Sequence, residues 1–207
     1  MKRSIAAALL CSISAPAVAQ ETLTFDGFYL GAVGGYDDVT LEAGGLEGSS
    51  DGAVFGAVGG YDFSVGSMLF GAEVELTEST AGYTEYDVLD ADDSVSLDAG
   101  LDFYIGARAG LVASNTVLIY GKVGFTSASV EGTYNDGAGF SDSEGENMGG
   151  YRVGGGIEFA ATSSLRLRAE YRYSDYGEFK YNDGVDVYPT GIDASRSQIM
   201  AGLLLGF

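Results

Sequence analysis

Leu165-Arg166-Leu167-Arg168-Ala169-Glu170-Tyr171-Arg172-Tyr173 alternates apolar and charged residues without a break. A period of two places Leu165, Leu167, Ala169, Tyr171 and Tyr173 on one face of an extended strand. It places Arg166, Arg168, Glu170 and Arg172 on the other. A helix would spread both sets around its circumference, so this segment is a strand with one greasy and one ionic face.

The same alternation recurs along the chain. Leu101, Phe103, Ile105, Ala107, Ala109 and Leu111 oppose Asp102, Tyr104 and Arg108. Phe70, Ala72, Val74 and Leu76 oppose Glu73 and Glu75, while Tyr151, Val153, Ile157 and Phe159 oppose Arg152 and Glu158. Lys122 and Asp62 fall on the polar faces of two further strands. Eight strands are predicted, near 27–36, 53–63, 68–78, 99–112, 117–129, 149–161, 165–176 and 194–207. Each is about long enough to cross a bilayer at a tilt.

The connections alternate in length. Four hold about 16, 20, 19 and 17 residues; the others are the short turns Ser64–Ser67, Ala113–Thr116 and Thr162–Ser164. Short turns at one end and long loops at the other are the pattern of a transmembrane barrel. Charge decides which way the faces point. Twelve mid-strand charges on the polar faces balance: Asp62, Glu73, Glu75, Asp102, Glu158 and Glu170 against Arg108, Lys122, Arg152, Arg166, Arg168 and Arg172. The long loops carry 20 acids and one base, Lys180. A narrow lumen demands near-neutrality because unpaired buried charge is costly; a solvated surface does not. The predicted fold is therefore all-β, an eight-stranded antiparallel up-and-down transmembrane β-barrel. Its apolar face meets lipid, its ionic face lines the lumen, and its acidic loops lie outside the cell.

Aromatic residues fit two interfacial belts. Phe28, Phe63, Phe70, Phe159 and Phe207 lie at the short-turn ends, and Tyr36, Phe55, Phe103, Phe125, Tyr151 and Tyr173 nearer the long loops.

Residues 1–19 read as a signal peptide, with Lys2 and Arg3, an apolar run from Ile5 to Ile13, and Ala17-Val18-Ala19 before the cut. Residues 20–207 then form the barrel domain. The one cysteine, Cys11, lies in the leader; Leu10 before it disfavours a lipoprotein cut. The mature chain would carry 8 basic and 30 acidic residues, a charge of −22. That excludes nucleic acid as a partner.

At this point the residues resemble a known family. Phe28-Tyr29-Leu30-Gly31, Ile119-Tyr120-Gly121-Lys122-Val123-Gly124, Leu167 through Gly177, and Leu203-Leu204-Leu205-Gly206-Phe207 are similar to the OmpA-like eight-stranded barrels called the porin family, or outer membrane immunogenic protein group. The resemblance implies the outer membrane of a Gram-negative bacterium. It also implies that Phe207, with Leu203 and Leu205 on its face, is read by the barrel-assembly machinery. Larger relatives add a periplasmic peptidoglycan-binding domain; none follows the barrel in this sequence, so that activity is not implied.

No catalytic residue is assigned. Enzymes among outer-membrane barrels resemble one another in using a histidine base, and this chain has no histidine. The candidate site is the lumen network of Glu73, Glu75, Asp102, Arg108, Lys122, Arg152, Glu158, Arg166, Arg168, Glu170 and Arg172. Eight strands leave a lumen that side chains just fill, which favours a plug over a pore. No cofactor and no dedicated metal site are expected. Outer-membrane lipid and lipopolysaccharide are the expected surroundings. Asp87, Asp90, Asp92 and Asp93 raise divalent cations as loop partners, against the plainer reading of a solvated acidic loop. Three functions stay open: a structural surface barrel with a narrow-channel version, a surface adhesin, and a soluble barrel carrying an apolar ligand.

Overall fold

The computed structural model describes residues 25–43, 46–86, 93–136, 141–182 and 187–207. The predicted leader, residues 1–19, lies outside them. The described chain forms β1 (Gly27–Ala43), β2 (Leu46–Val65), β3 (Met68–Ser79), β4 (Gly82–Tyr86), β5 (Ser94–Ser114), β6 (Val117–Asn135), β7 (Ser141–Ala160), β8 (Leu165–Asn182) and β9 (Val187–Gly206).

The ladders are antiparallel and link neighbours in chain order, and β1 closes on β9 from Tyr29↔Gly206 to Ala43↔Ile192. Both β3 and β4 pair with β5, β3 along Leu101–Leu111 and β4 along Ser94–Asp98. They are two stretches of one wall position, interrupted at Thr80 and Ala81. The wall is thus a closed eight-stranded antiparallel barrel. Closure leaves no strand edge in the bilayer, where an unpaired backbone group would cost several kcal/mol.

Three short turns lie at one end. Gly66 and Ser67 connect β2 to β3, with Gly66 at φ 66°, a left-handed conformation that suits glycine. Asn115 and Thr116 connect β5 to β6, and Ala161 to Ser164 connect β7 to β8.

The other end departs from expectation. The predicted long loops are mostly strand: β1 and β2 stay paired from Gly27↔Asp62 out to Ala43↔Leu46, and β6 with β7 out to Asn135↔Ser141. Ser49 and Ser50, in the first predicted long loop, lie within β2, and Ser141, Asp142 and Ser143, in the third, lie within β7. The ladder is a backbone property and continues past the membrane, where no greasy face is needed. At the other end, Ala161 and Phe207, assigned to strands, lie just outside them.

The parity matches the lipid-outward orientation. Leu30, Leu76, Ile105, Val123, Ile157 and Leu203 are all about half exposed on the outer wall. Phe28, Phe63, Phe159 and Phe207 ring the short-turn end, with Phe28 4.7 Å from the Tyr61 ring and Phe63 5.9 Å from Phe70. Tyr36, Phe55, Phe103, Phe125 and Tyr151 form the second belt, where Phe125 stands directly opposite Tyr151.

Candidate functional site

The lumen is built from the inward parity of every strand. The eleven predicted residues Glu73, Glu75, Asp102, Arg108, Lys122, Arg152, Glu158, Arg166, Arg168, Glu170 and Arg172 are all buried there, together with Asp62. The structure adds a pair that sequence reading missed. Asp37 and Arg196 are buried inside as well, so these lumen residues number seven acids and seven bases among the described residues. Asp37 sits one residue beyond the predicted end of the first strand. The longer β1 carries it inward on the parity of Tyr29 and Val33.

The charges form three tiers. The outer tier centres on Asp102, which receives hydrogen bonds from Arg152 Nη2 at 2.5 Å, Thr126 Oγ1 at 2.6 Å, Tyr176 at 2.9 Å and Arg196 Nη1 at 3.1 Å. Arg196 also grips Asp37 through Nε at 2.8 Å and Nη2 at 2.5 Å, and Ser79 donates to the same carboxylate. This two-pronged fork is the strongest geometry available to an arginine–carboxylate pair.

The middle tier is organised by Lys122. Its ammonium lies 3.0 Å from Glu73, 2.8 Å from Glu75 and 2.7 Å from Glu170. Three carboxylates from β3 and β8 thus converge on one cation carried by β6. Glu73, Glu75 and Glu170 stand close enough to hold a metal ion, and the ammonium is seated among them. Arg168 reaches Glu73 and Glu158, each at 2.8 Å, and Arg172 reaches Glu75 at 2.6 Å. The Tyr29 hydroxyl donates to Glu73 at 2.6 Å, and the Tyr120 hydroxyl donates to Glu170. Arg108 and Arg168 lie over the Tyr120 ring, at 4.4 and 5.2 Å from its centroid.

Three inward tyrosines pack over glycines. A side chain on Gly60 would meet the Tyr29 hydroxyl, one on Gly106 the Tyr104 hydroxyl, and one on Gly156 the Tyr120 hydroxyl. Tyr104 was on the predicted polar face. Tyr29 and Tyr120 were not singled out, because an apolar ring alternating with apolar neighbours carries no polarity signal.

The tier at the short-turn end is looser. Asp62 lies 3.4 Å from Arg108 Nε and 3.6 Å from Arg166 Nη1, and Arg166 Nη1 lies 3.7 Å from Glu158. Neither Asp62 oxygen makes a hydrogen bond, nor do Arg166 Nε and Nη1.

Asp87, Asp90 and Asp92 lie outside the described residues. Asp93 is buried, 3.5 Å from the Tyr134 hydroxyl. Leu203 and Leu205 face outward from β9, and Phe207 follows that strand with its amide donating to the Phe28 carbonyl at 2.8 Å.

The closed barrel has counterparts among known proteins. Residues 5–203 match the family described as the outer membrane protein beta-barrel domain. The chain belongs to that family. It is 27% identical over 180 residues to a 22 kDa outer membrane protein of Rhizobium leguminosarum bv. viciae, covering 87% of this chain and 78% of the relative. Among solved structures it is similar to Neisserial surface protein A, with a TM-score of 0.51, 18% identity, and 87% and 97% of the two chains covered. It is also similar in fold to the outer membrane protease OmpT of Escherichia coli, with a TM-score of 0.54, 10% identity, and 91% and 99% covered. The protein is a bacterial outer-membrane β-barrel, and the short-turn end accordingly faces the periplasm.

Proposed function

We propose that this barrel is a sealed structural element of the outer membrane, not a solute channel. The observation that carries the reading is the Lys122 tier. An ammonium bonded to three carboxylates, flanked by Arg108, Arg168 and Arg172, fills the waist of an eight-stranded lumen. A permeating ion would have to displace contacts of 2.6–3.0 Å on every side. Planar-bilayer recording tests this. Purified, folded barrel is expected to give no single-channel steps in concentrated KCl, and discrete reproducible steps would overturn the reading in favour of a narrow porin-like channel.

A second reading, surface adhesion, is favoured by the outer hairpins. Between Tyr36 and Ala43 the β1 wall rises roughly 24 Å at a strand's ~3.4 Å per residue, and the ladder keeps it rigid. Such hairpins form a stiff acidic platform beyond the lipid headgroups. Replacing the hairpin ends with short turns is expected to abolish any binding to host matrix; binding that survives would reject the role.

Catalysis is no part of either reading, since the sequence holds no histidine to serve as base. Assembly is proposed to run through leader cleavage after Ala19 and recognition of Phe207 with Leu203 and Leu205 by the insertion machinery. Lipopolysaccharide is the proposed neighbour at the outer belt, and divalent cations are proposed bridges from the acidic rim to its phosphates.

A further inference from the structure

Phe25-Asp26-Gly27-Phe28 stands at the periplasmic mouth, and its two aromatic rings go to opposite sides of the wall. Phe28 is 66% exposed on the lipid face, whereas Phe25 is 2% exposed inside the barrel. Gly27 makes this possible. Its φ of 104° is open to glycine alone, and a Cβ there would collide with the Phe207 carbonyl oxygen. The β1–β2 ladder begins at Gly27, so Phe25 lies outside the sheet. Its ring packs with Leu69, Leu118, Tyr120 and Ala160, and the Arg166 guanidinium stands 5.3 Å from its centroid.

Behind that ring lies Asp62, whose carboxylate makes no hydrogen bond at all. Arg108 Nε, Glu158 Oε2, and Arg166 Nε and Nη1 beside it are also buried without one, and Arg108 Nη2 keeps only its ion pair with Glu158, at 2.8 Å. At the outer end Thr77 Oγ1 lacks a hydrogen bond, but no buried side-chain atom of Asp37, Asp102, Arg152 or Arg196 does. Buried polar groups left unbonded are costly, and a polar cavity recruits water to satisfy them. The inner tier therefore suits hydration, and the apolar collar around Phe25 separates it from the periplasm.

We infer that Phe25 is a removable hydrophobic stopper, closing the periplasmic mouth over a hydrated ionic chamber that ends at the Lys122 tier. The outer closure is built from ion pairs within the wall. The inner closure is one side chain on the short segment that enters β1 through Gly27. Withdrawing it admits water and small ions to the chamber without breaking any strand pairing. The inference rests on the sealed-lumen reading only for the position of the chamber's far end.

Thiol accessibility tests it. The predicted mature chain has no cysteine, so Ala160→Cys places a single thiol in the collar beneath Phe25. The purified barrel in detergent micelles is treated with an anionic, membrane-impermeant methanethiosulfonate, and folding is read from the mobility difference between boiled and unboiled samples. The introduced thiol is expected to stay protected with Phe25 present, to react about ten-fold faster or more with Phe25→Ala, and to return towards protection with Phe25→Leu, since reactivity follows the open fraction. Equal rates with Phe25 and Phe25→Ala, whether slow or fast, overturn the stopper. So does a Phe25→Ala barrel that fails to fold, which would make Phe25 a core residue. Conductance of the Phe25 barrel would instead overturn the sealed lumen, so the two failures are distinguishable.

Discussion

Asp37 and Arg196 are 159 residues apart in sequence and are joined by a two-pronged ion pair at the outer end of the lumen. They sit on β1 and β9, the first and last strands, whose ladder closes the barrel. The pair therefore pins the closing seam from inside. Removing the cation alone should be severe. Arg196→Met leaves Asp37 buried with only Ser79 as donor and is expected to cost about 3–5 kcal/mol. The double variant Asp37→Leu with Arg196→Met should recover most of that, because Asp102 keeps Arg152, Thr126 and Tyr176. Urea unfolding in micelles measures both; a double variant no more stable than the single one would refute the pairing.

Much of this architecture was legible in the alternation of Leu165 to Tyr173 and its counterparts, because lipid on one side and a narrow lumen on the other force a strict period of two. What lay outside the bilayer was not legible. Asp37-Asp38-Val39-Thr40 and Ser141 to Asn147 have no greasy face, so the ladder that holds them leaves no hydrophobic pattern. Pairings were hidden for another reason. Arg108 meets Glu158 at 2.8 Å across the lumen, a contact set by the barrel's curvature and register rather than by neighbouring positions in the chain.

Lys122→Met removes the cation shared by Glu73, Glu75 and Glu170 and leaves the three carboxylates to the surrounding arginines alone, with Glu170 no closer than 3.8 Å to one. The expected loss is again about 3–5 kcal/mol near neutral pH. Urea unfolding in micelles measures the loss; a Lys122→Met barrel as stable as the parent would contradict the shared-cation geometry.

Gly60 lies beneath the Tyr29 hydroxyl, with which a Cβ would collide. Gly60→Val should displace Tyr29 from Glu73 and cost about 1–3 kcal/mol by overpacking. Gly48 has open space around it, and Gly48→Val should cost far less. Equal effects at the two positions would show that the inward glycines are not making room for the tyrosines.

Ala32 is exposed on the lipid face of β1, four residues from Phe28 of the inner belt and four from Tyr36 of the outer one. Ala32→Arg should destabilise the barrel by about 2–4 kcal/mol, the cost of an arginine near the bilayer midplane. Exposed Glu131, on the outer part of β6, should accept arginine within about 0.5 kcal/mol. Unfolding in lipid vesicles compares them, and a neutral Ala32→Arg would reverse the assignment of faces.

Phe207 separates assembly from stability. It is 80% exposed, and what it gives the folded wall is chiefly its amide, bonded to the Phe28 carbonyl at 2.8 Å. Phe207→Ser keeps that amide and should therefore refold into micelles with an unchanged unfolding midpoint. If the insertion machinery reads the terminal ring, the same variant should accumulate in cells as the unfolded, slowly migrating species, with severalfold less folded barrel in the outer membrane. Leu204→Ser gives the opposite contrast: its side chain is fully buried at the inner mouth, so it should weaken the purified barrel while leaving the outward face of β9 intact. A Phe207→Ser protein that assembles in cells as fast as the parent would show that this ring is only part of the periplasmic belt.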